Sequence, residues 1–168
     1  LGWTADTQVF AETGTFFANT SSFMHKWLRD VRDSQSSTGG YPGVAPVSSG
    51  GWAPMRLGWA DAGVIVPWIL WKQLGNTNIV EECWESMEMY MTHLQATKFT
   101  YEAVREECGN NQYADWLSYE PLETSGHGAH YRDENNKWQP REESIEYWNF
   151  LAQSYWLLDA QMMCDMAR

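Results

Sequence analysis

Apolar residues recur every three or four positions along most of this chain, which is the period of an amphipathic helix rather than of a strand. A first helix is predicted over Asp6 to Ala18, with Val9, Phe10, Thr13, Phe16 and Phe17 on its inner side. Asn19-Thr20-Ser21-Ser22 then offers N-cap chemistry to a second helix running to about Gln35. Phe23, Met24, Trp27, Leu28 and Val31 form its apolar face, and Lys26, Arg29, Asp30, Arg32 and Asp33 its wet face. A third helix starts near Trp59-Ala60-Asp61, where Asp61 would cap it or complement its dipole. From Ala62 to Trp71 this helix is apolar on every side, the pattern of full burial. Pro67 should kink or break it, and Gly75 ends it as a C-cap glycine does. Thr77 opens a fourth helix to about Thr97, with Ile79, Val80, Cys83, Trp84, Met87, Tyr90, Met91 and Leu94 as its stripe. A last helix runs from Arg141 to the end of the chain, with Ile145, Trp148, Phe150, Leu151, Tyr155, Leu158 and Met162 inward.

Between these helices lie long loops. Ser36 to Arg56 is broken by Gly39-Gly40, Pro42-Gly43, Pro46, Gly50-Gly51 and Pro54, yet it carries Tyr41, Val44, Val47, Trp52 and Met55. It reads as an ordered loop over a core face. Lys98 to Cys108 either extends the fourth helix or turns, and Ser118 to Pro140 reads as a polar loop. The whole reads as an all-α, single domain over residues 1–168, built of paired helices.

Composition narrows the function. Eleven Trp in 168 residues exceed what a core of this size needs, so rings lining a groove are expected. The formal charge is -11, with 22 acidic residues against 11 Lys and Arg. That balance excludes nucleic-acid binding and disfavours anionic membrane surfaces. No apolar run approaches the ~20 residues of a membrane span. Cys83, Cys108 and Cys164 show no CxxC or metal-ligand spacing and read as free thiols, which leaves the compartment, cytoplasmic or secreted, open.

Three segments pair Trp with Asp: Trp3-Thr4-Ala5-Asp6, Trp59-Ala60-Asp61 and Asp115-Trp116. Each falls at a loop-to-helix junction or in a loop. An indole stacks on the apolar face of a pyranose, and a carboxylate accepts its hydroxyls. Three such pairs on one rim would form a sugar subsite; the alternative is that each Asp caps a helix and each Trp is core. His127, His130, Asp133 and Glu134 lack the spacing of a metal site, so no metal and no cofactor is predicted. Neither a serine nucleophile elbow nor a phosphate loop is present.

These segments carry a resemblance. Leu1-Gly2-Trp3-Thr4-Ala5-Asp6-Thr7-Gln8 closely resembles the R-L-G-W-T-G-D-A-Q signature of bacterial α-L-rhamnosidases of glycoside hydrolase family 78. Phe23 to Arg32 is similar to the family's F-x-x-K-W-L-x-D segment, and Val44-Ala45-Pro46 resembles its P-x-V-x-P loop. Gly58 to Trp68 resembles G-W-G-D-A-A-V-x-x-P-W, and Tyr113 to Leu117 resembles Y-G-D-W-L. Ala5, Thr7, Ala60 and Ala114 depart from the family pattern by small-for-small changes.

The resemblance implies an (α/α)6 toroid, the six-hairpin glycosidase barrel, of which this chain would be a part. It implies hydrolysis of terminal α-L-rhamnosides with inversion, on a rhamnose-containing glycoside or oligosaccharide. Trp3, Trp59 and Trp116 would line the rhamnose pocket, and Asp6 would hydrogen-bond the sugar hydroxyls as a supporting acid. Asp61 and Asp115 belong to the same motifs, with a role in shaping the junctions. The family's general acid is a Glu just before Arg-Leu-Gly-Trp and its general base a Glu far downstream, so both are expected outside these residues. The isolated chain is then expected to be inactive, with the remainder of the barrel as its partner. The other readings are a different (α/α)6 glycosidase or lyase, or a non-enzymatic helical module that binds glycans.

Overall fold

The computed structural model describes residues 2–47, 58–96, 130–140 and 142–168. Within these residues, five helices and one short hairpin follow in the order α1 (Thr4–Phe17), α2 (Ser21–Asp33), α3 (Ala62–Leu74), α4 (Thr77–Ala96), β1 (His130–Arg132), β2 (Trp138–Pro140) and α5 (Glu142–Met166). The centre is α3, which packs against α1, α2, α4 and α5. Its sequence explains that place: Ala62 to Pro67, Ile69 and Leu70 are all buried, as the uniformly apolar run predicts.

Pro67 does not break α3. The helix runs from Ala62 to Leu74 through the position where the proline lacks an N–H. Helices packed on its sides hold the backbone where that one hydrogen bond is missing. Its end is sharp. Gly75 takes φ +65°, and its N–H donates to the Trp71 carbonyl at 2.9 Å.

α2 and α4 bury the faces that their periodicity marks. Met24, Trp27, Leu28 and Val31 of α2 meet Ile79, Val80, Cys83, Met87, Tyr90 and Leu94 of α4 in one core cluster. Phe23 departs from the predicted face and is exposed. The turn before α2 is tied by Asn19, whose Oδ1 accepts the Ser21 N–H, while Thr20 occupies the N-cap without a side-chain bond.

The first helix is oriented opposite to its prediction. Thr4, Gln8, Ala11 and Gly14 face the core, whereas Val9 is 78% and Phe17 81% exposed, and Phe10, Thr13 and Phe16 also face out. Two stripes at helical spacing exist here, one apolar and one small and polar. Small side chains let α1 approach α3 closely, and periodicity alone does not say which stripe is inside. The last helix shows the same effect. Ala152, Asp159 and Met162 are buried, whereas Phe150 and Leu158 are exposed against expectation.

The end of the predicted polar loop is a hairpin. His130–Arg132 pairs antiparallel with Trp138–Pro140. Asp133 holds its turn: its Oδ1 accepts the N–H groups of Asn135 and Lys137, and its Oδ2 accepts the Gln139 amide, each at 2.9 Å. The Gln139 bond, then that from Lys137, keeps this exposed carboxyl below its ordinary pKa. Asp133 therefore builds a turn. His127 lies outside the described residues.

Candidate functional site

Two backbone devices build the site. The first stitches residues 2–4 to residues 43–45. Trp3 forms an antiparallel bridge with Val44, and the Ala45 N–H donates to the Gly2 carbonyl at 2.8 Å. The Thr4 N–H and hydroxyl both donate to the Gly43 carbonyl, at 3.0 and 2.9 Å. This gives the Gly- and Pro-rich loop a definite task, since it anchors the start of α1 and with it Trp3.

The second device is the turn that leads into α3. Gly58 has φ +82°, a backbone shape that glycine adopts without steric penalty. Its N–H donates to Asp61 Oδ2 at 2.5 Å. Its carbonyl accepts the Gln8 side-chain amide at 3.4 Å, which links the turn to α1. Asp61 sits at the N-cap of α3, but its carboxyl caps no helical N–H. It reaches back and closes the turn that carries Trp59.

The two devices bring Trp3 and Trp59 together. Their ring centroids lie 5.3 Å apart at 85°, an edge-to-face contact. Such pairs contribute about 0.5–1.5 kcal/mol beyond their area. Both residues are half-buried, so the pair retains solvent-facing surface. Asp6 follows Trp3 by one helical turn, in the first turn of α1, and is exposed. A negative charge there is favoured by the helix dipole, and it is free to accept hydroxyl donors.

The other polar residues of the first segment point elsewhere. Thr4 is fully buried and Gln8 nearly so, and both bond to the protein's own backbone. Asp61 is also fully buried. Its second oxygen accepts the Tyr90 hydroxyl at 3.0 Å. Trp116 and Asp115 lie outside the described residues.

Beneath the turn lies a polar interior that periodicity does not reveal. Asp159 of α5 is fully buried and interacts electrostatically with Asp61. Burial raises the pKa of both carboxyls, and the Asp61 charge raises that of Asp159 further. Tyr90 stacks on Tyr41 with centroids 4.8 Å apart. Tyr41 donates to Ser86 Oγ at 2.7 Å, and Ser86 in turn donates to Gln35 Oε1 at 2.7 Å. Burial pushes both phenols well above their ordinary range, so they stay neutral donors. The signal for Asp159 was an acid inside the run Tyr155-Trp156-Leu157-Leu158-Asp159-Ala160. Tyr90 was legible only as one more apolar residue of α4.

Among the described residues no group of three or more His, Cys, Asp or Glu is placed to hold a metal ion. Cys83 and Cys164 are free thiols; the former is buried and accepts a hydrogen bond from Arg32 Nη1 at 2.9 Å. None of the described helices is long and apolar enough to cross a membrane.

The family model for the bacterial α-L-rhamnosidase 6 hairpin glycosidase domain matches residues 1–167. An α-L-rhamnosidase from Formosa agariphila is 36% identical over 122 residues, which cover 72% of this chain and 12% of that protein. One from Streptomyces avermitilis is 36% identical over 118 residues, covering 70% and 11%. The crystal structure of a Streptomyces avermitilis α-L-rhamnosidase complexed with L-rhamnose superposes with a TM-score of 0.66 at 27% identity, over 99% of this chain and 13% of that one. The α-L-rhamnosidase structure from Dictyoglumus thermophilum superposes with a TM-score of 0.71 at 21% identity, over 99% and 16%, and so supports the fold. The chain therefore spans about an eighth of the length of these relatives.

Proposed function

Because the chain belongs to the bacterial α-L-rhamnosidase six-hairpin glycosidase family, we propose that it forms one wall of the rhamnose subsite in an α-L-rhamnosidase catalytic domain. Residues 1–168 are then one part of a single (α/α)6 barrel. The observation that carries this reading is the contact between Trp3 and Trp59, with Asp6 exposed one turn away. Two rings from separate segments offer an apolar face to a deoxysugar, and the carboxylate takes its hydroxyls.

The reaction is hydrolysis of a terminal α-L-rhamnoside with inversion. It needs a carboxylic acid to protonate the leaving oxygen and a carboxylate to activate water, about 6.5–9.5 Å apart. Neither role falls to Asp61 or Asp159, which have no access to solvent. Asp6 acts as a supporting acid that binds hydroxyls, and the two catalytic carboxyls come from elsewhere in the barrel. The rest of the barrel is thus the necessary partner of this segment.

The test uses the full-length protein that contains this chain. It should hydrolyse aryl α-L-rhamnosides and leave aryl glucosides intact. Trp59→Ala should weaken L-rhamnose affinity about tenfold, the equivalent of ~1.4 kcal/mol. Asp6→Asn should weaken it by about 10- to 100-fold through loss of charge-assisted hydrogen bonds. Unchanged affinity in both variants would remove these residues from the subsite, and preferred cleavage of glucosides would reassign the enzyme.

A further inference from the structure

Asp159 is a fully buried carboxyl for which the reaction has no use. Both of its oxygens lack any N–H or hydroxyl donor among the described residues. Asp61, the carboxyl that acts on it, already accepts from the Gly58 N–H and the Tyr90 hydroxyl. Two ionised carboxylates cannot bond to each other, and both would be costly to bury side by side. A single proton between them removes the repulsion and supplies the missing donor.

We propose that Asp159 is a positioning residue: a proton held between its carboxyl and that of Asp61 locks the Gly58–Ala60 turn and thereby sets the angle of Trp59. The lock spans three helices. Asp159 comes from α5, Asp61 from the start of α3, and Tyr90 from α4. Tyr155, one helical turn before Asp159, lies over Gly58, so a Cβ at Gly58 would stand 3.3 Å from its ring. Among the described residues, the titratable groups around the pair are Tyr90 on α4, Tyr155 on α5, and Tyr41, which packs against Tyr90. Arg32 of α2 and Cys83 of α4 act on Tyr41, one step further out. Phenols at this depth stay neutral, so the shared proton is the group that titrates first.

The sign follows from burial. The pair holds its proton above the ordinary carboxyl pKa, whereas the unfolded chain releases it at the ordinary value. Stability from this proton is fully present below the ordinary carboxyl value and falls as pH rises through the raised value. Over that window the turn loosens and Trp59 loses its fixed orientation.

This assignment rests on the reading of Trp59 as part of the rhamnose subsite for its functional meaning. Its test does not. In the full-length protein labelled with 5-fluorotryptophan, the Trp59 resonance is assigned by its absence in Trp59→Phe and followed against pH. In the unmodified sequence it should move in a single titration above the ordinary carboxyl range. Asp159→Asn keeps a neutral donor of the same shape, so the protein should fold, bind L-rhamnose within about twofold of the parent, and show no such titration. Asp159→Ala should shift the resonance at every pH and weaken L-rhamnose about tenfold. A titration that persists in Asp159→Asn, an Asp159→Asn protein that does not fold, or an unperturbed Trp59 in Asp159→Ala would overturn the proposal. A Trp59 resonance that titrates as described but ignores L-rhamnose would instead remove Trp59 from the subsite and leave the proton lock standing.

Discussion

Single atoms decide this site more than side-chain bulk does. The Tyr90 hydroxyl is the clearest case, since the ring would pack equally well without it. Tyr90→Phe leaves the aromatic stack in place and takes one donor from a buried carboxyl. Leaving such an acceptor short costs about 1–3 kcal/mol. A lower thermal midpoint of the full-length protein, with weaker L-rhamnose binding because the turn is less fixed, is the expected outcome. Equal stability of the variant would mean that Asp61 does not depend on this bond. Residue identity in the motifs was legible beforehand: Trp3, Asp6, Trp59 and Asp61 all stand out in the chain. What each does was not, because Asp6 and Asp61 share one chemistry and differ only in burial. The same holds for Thr4 and Gln8, which look like sugar ligands in sequence and bond to backbone carbonyls in the fold.

Elements were read more reliably than their faces. Helix periodicity located α1 through α4 closely, and the glycine stop of α3 is where its chemistry puts it. Gly75 lies in the left-handed region with open space around its Cα, so steric overlap plays no part there. Gly75→Ala should therefore cost about 1 kcal/mol from backbone strain alone, and Gly75→Asn distinctly less, read as paired thermal shifts. The face of α1 was not legible, because its small, polar stripe recurs with the same spacing as its aromatic stripe. The face of α5 failed for a related reason. An Asp inside an apolar run reads as polar and outward-facing, whereas in the fold burial raises the pKa of Asp159 and favours its neutral form.

At the scale of the whole molecule, two helices carry most of the exposed large apolar residues among those described. Val9, Phe10, Phe16 and Phe17 line the outer side of α1, and Phe150, Leu157 and Leu158 that of α5. An open groove of about 660 Å³ lies at the end of α1, lined by Phe16, Phe17, Leu74 and Asn76 among others. Large apolar side chains exposed along one side of a helix mark a packing face. Expressed alone, the chain should therefore bind 8-anilinonaphthalene-1-sulfonate and sediment as concentration-dependent assemblies. Phe16→Ser with Phe17→Ser should reduce that association in the isolated chain and lower the thermal stability of the full-length protein. A monomeric, dye-free wild-type segment would show that these faces need no cover.

The order of amino acids was sufficient to determine the helical class, the positions of most helices and the family, because periodicity and motif are properties of neighbours along the chain. Tertiary structure alone decided which stripe of α1 and α5 faces inward, that Trp3 and Trp59 meet, and that Asp61 and Asp159 share an interior. Those outcomes depend on contacts between residues distant in sequence, and a carboxyl's chemistry is set by the dielectric and the partners those contacts create.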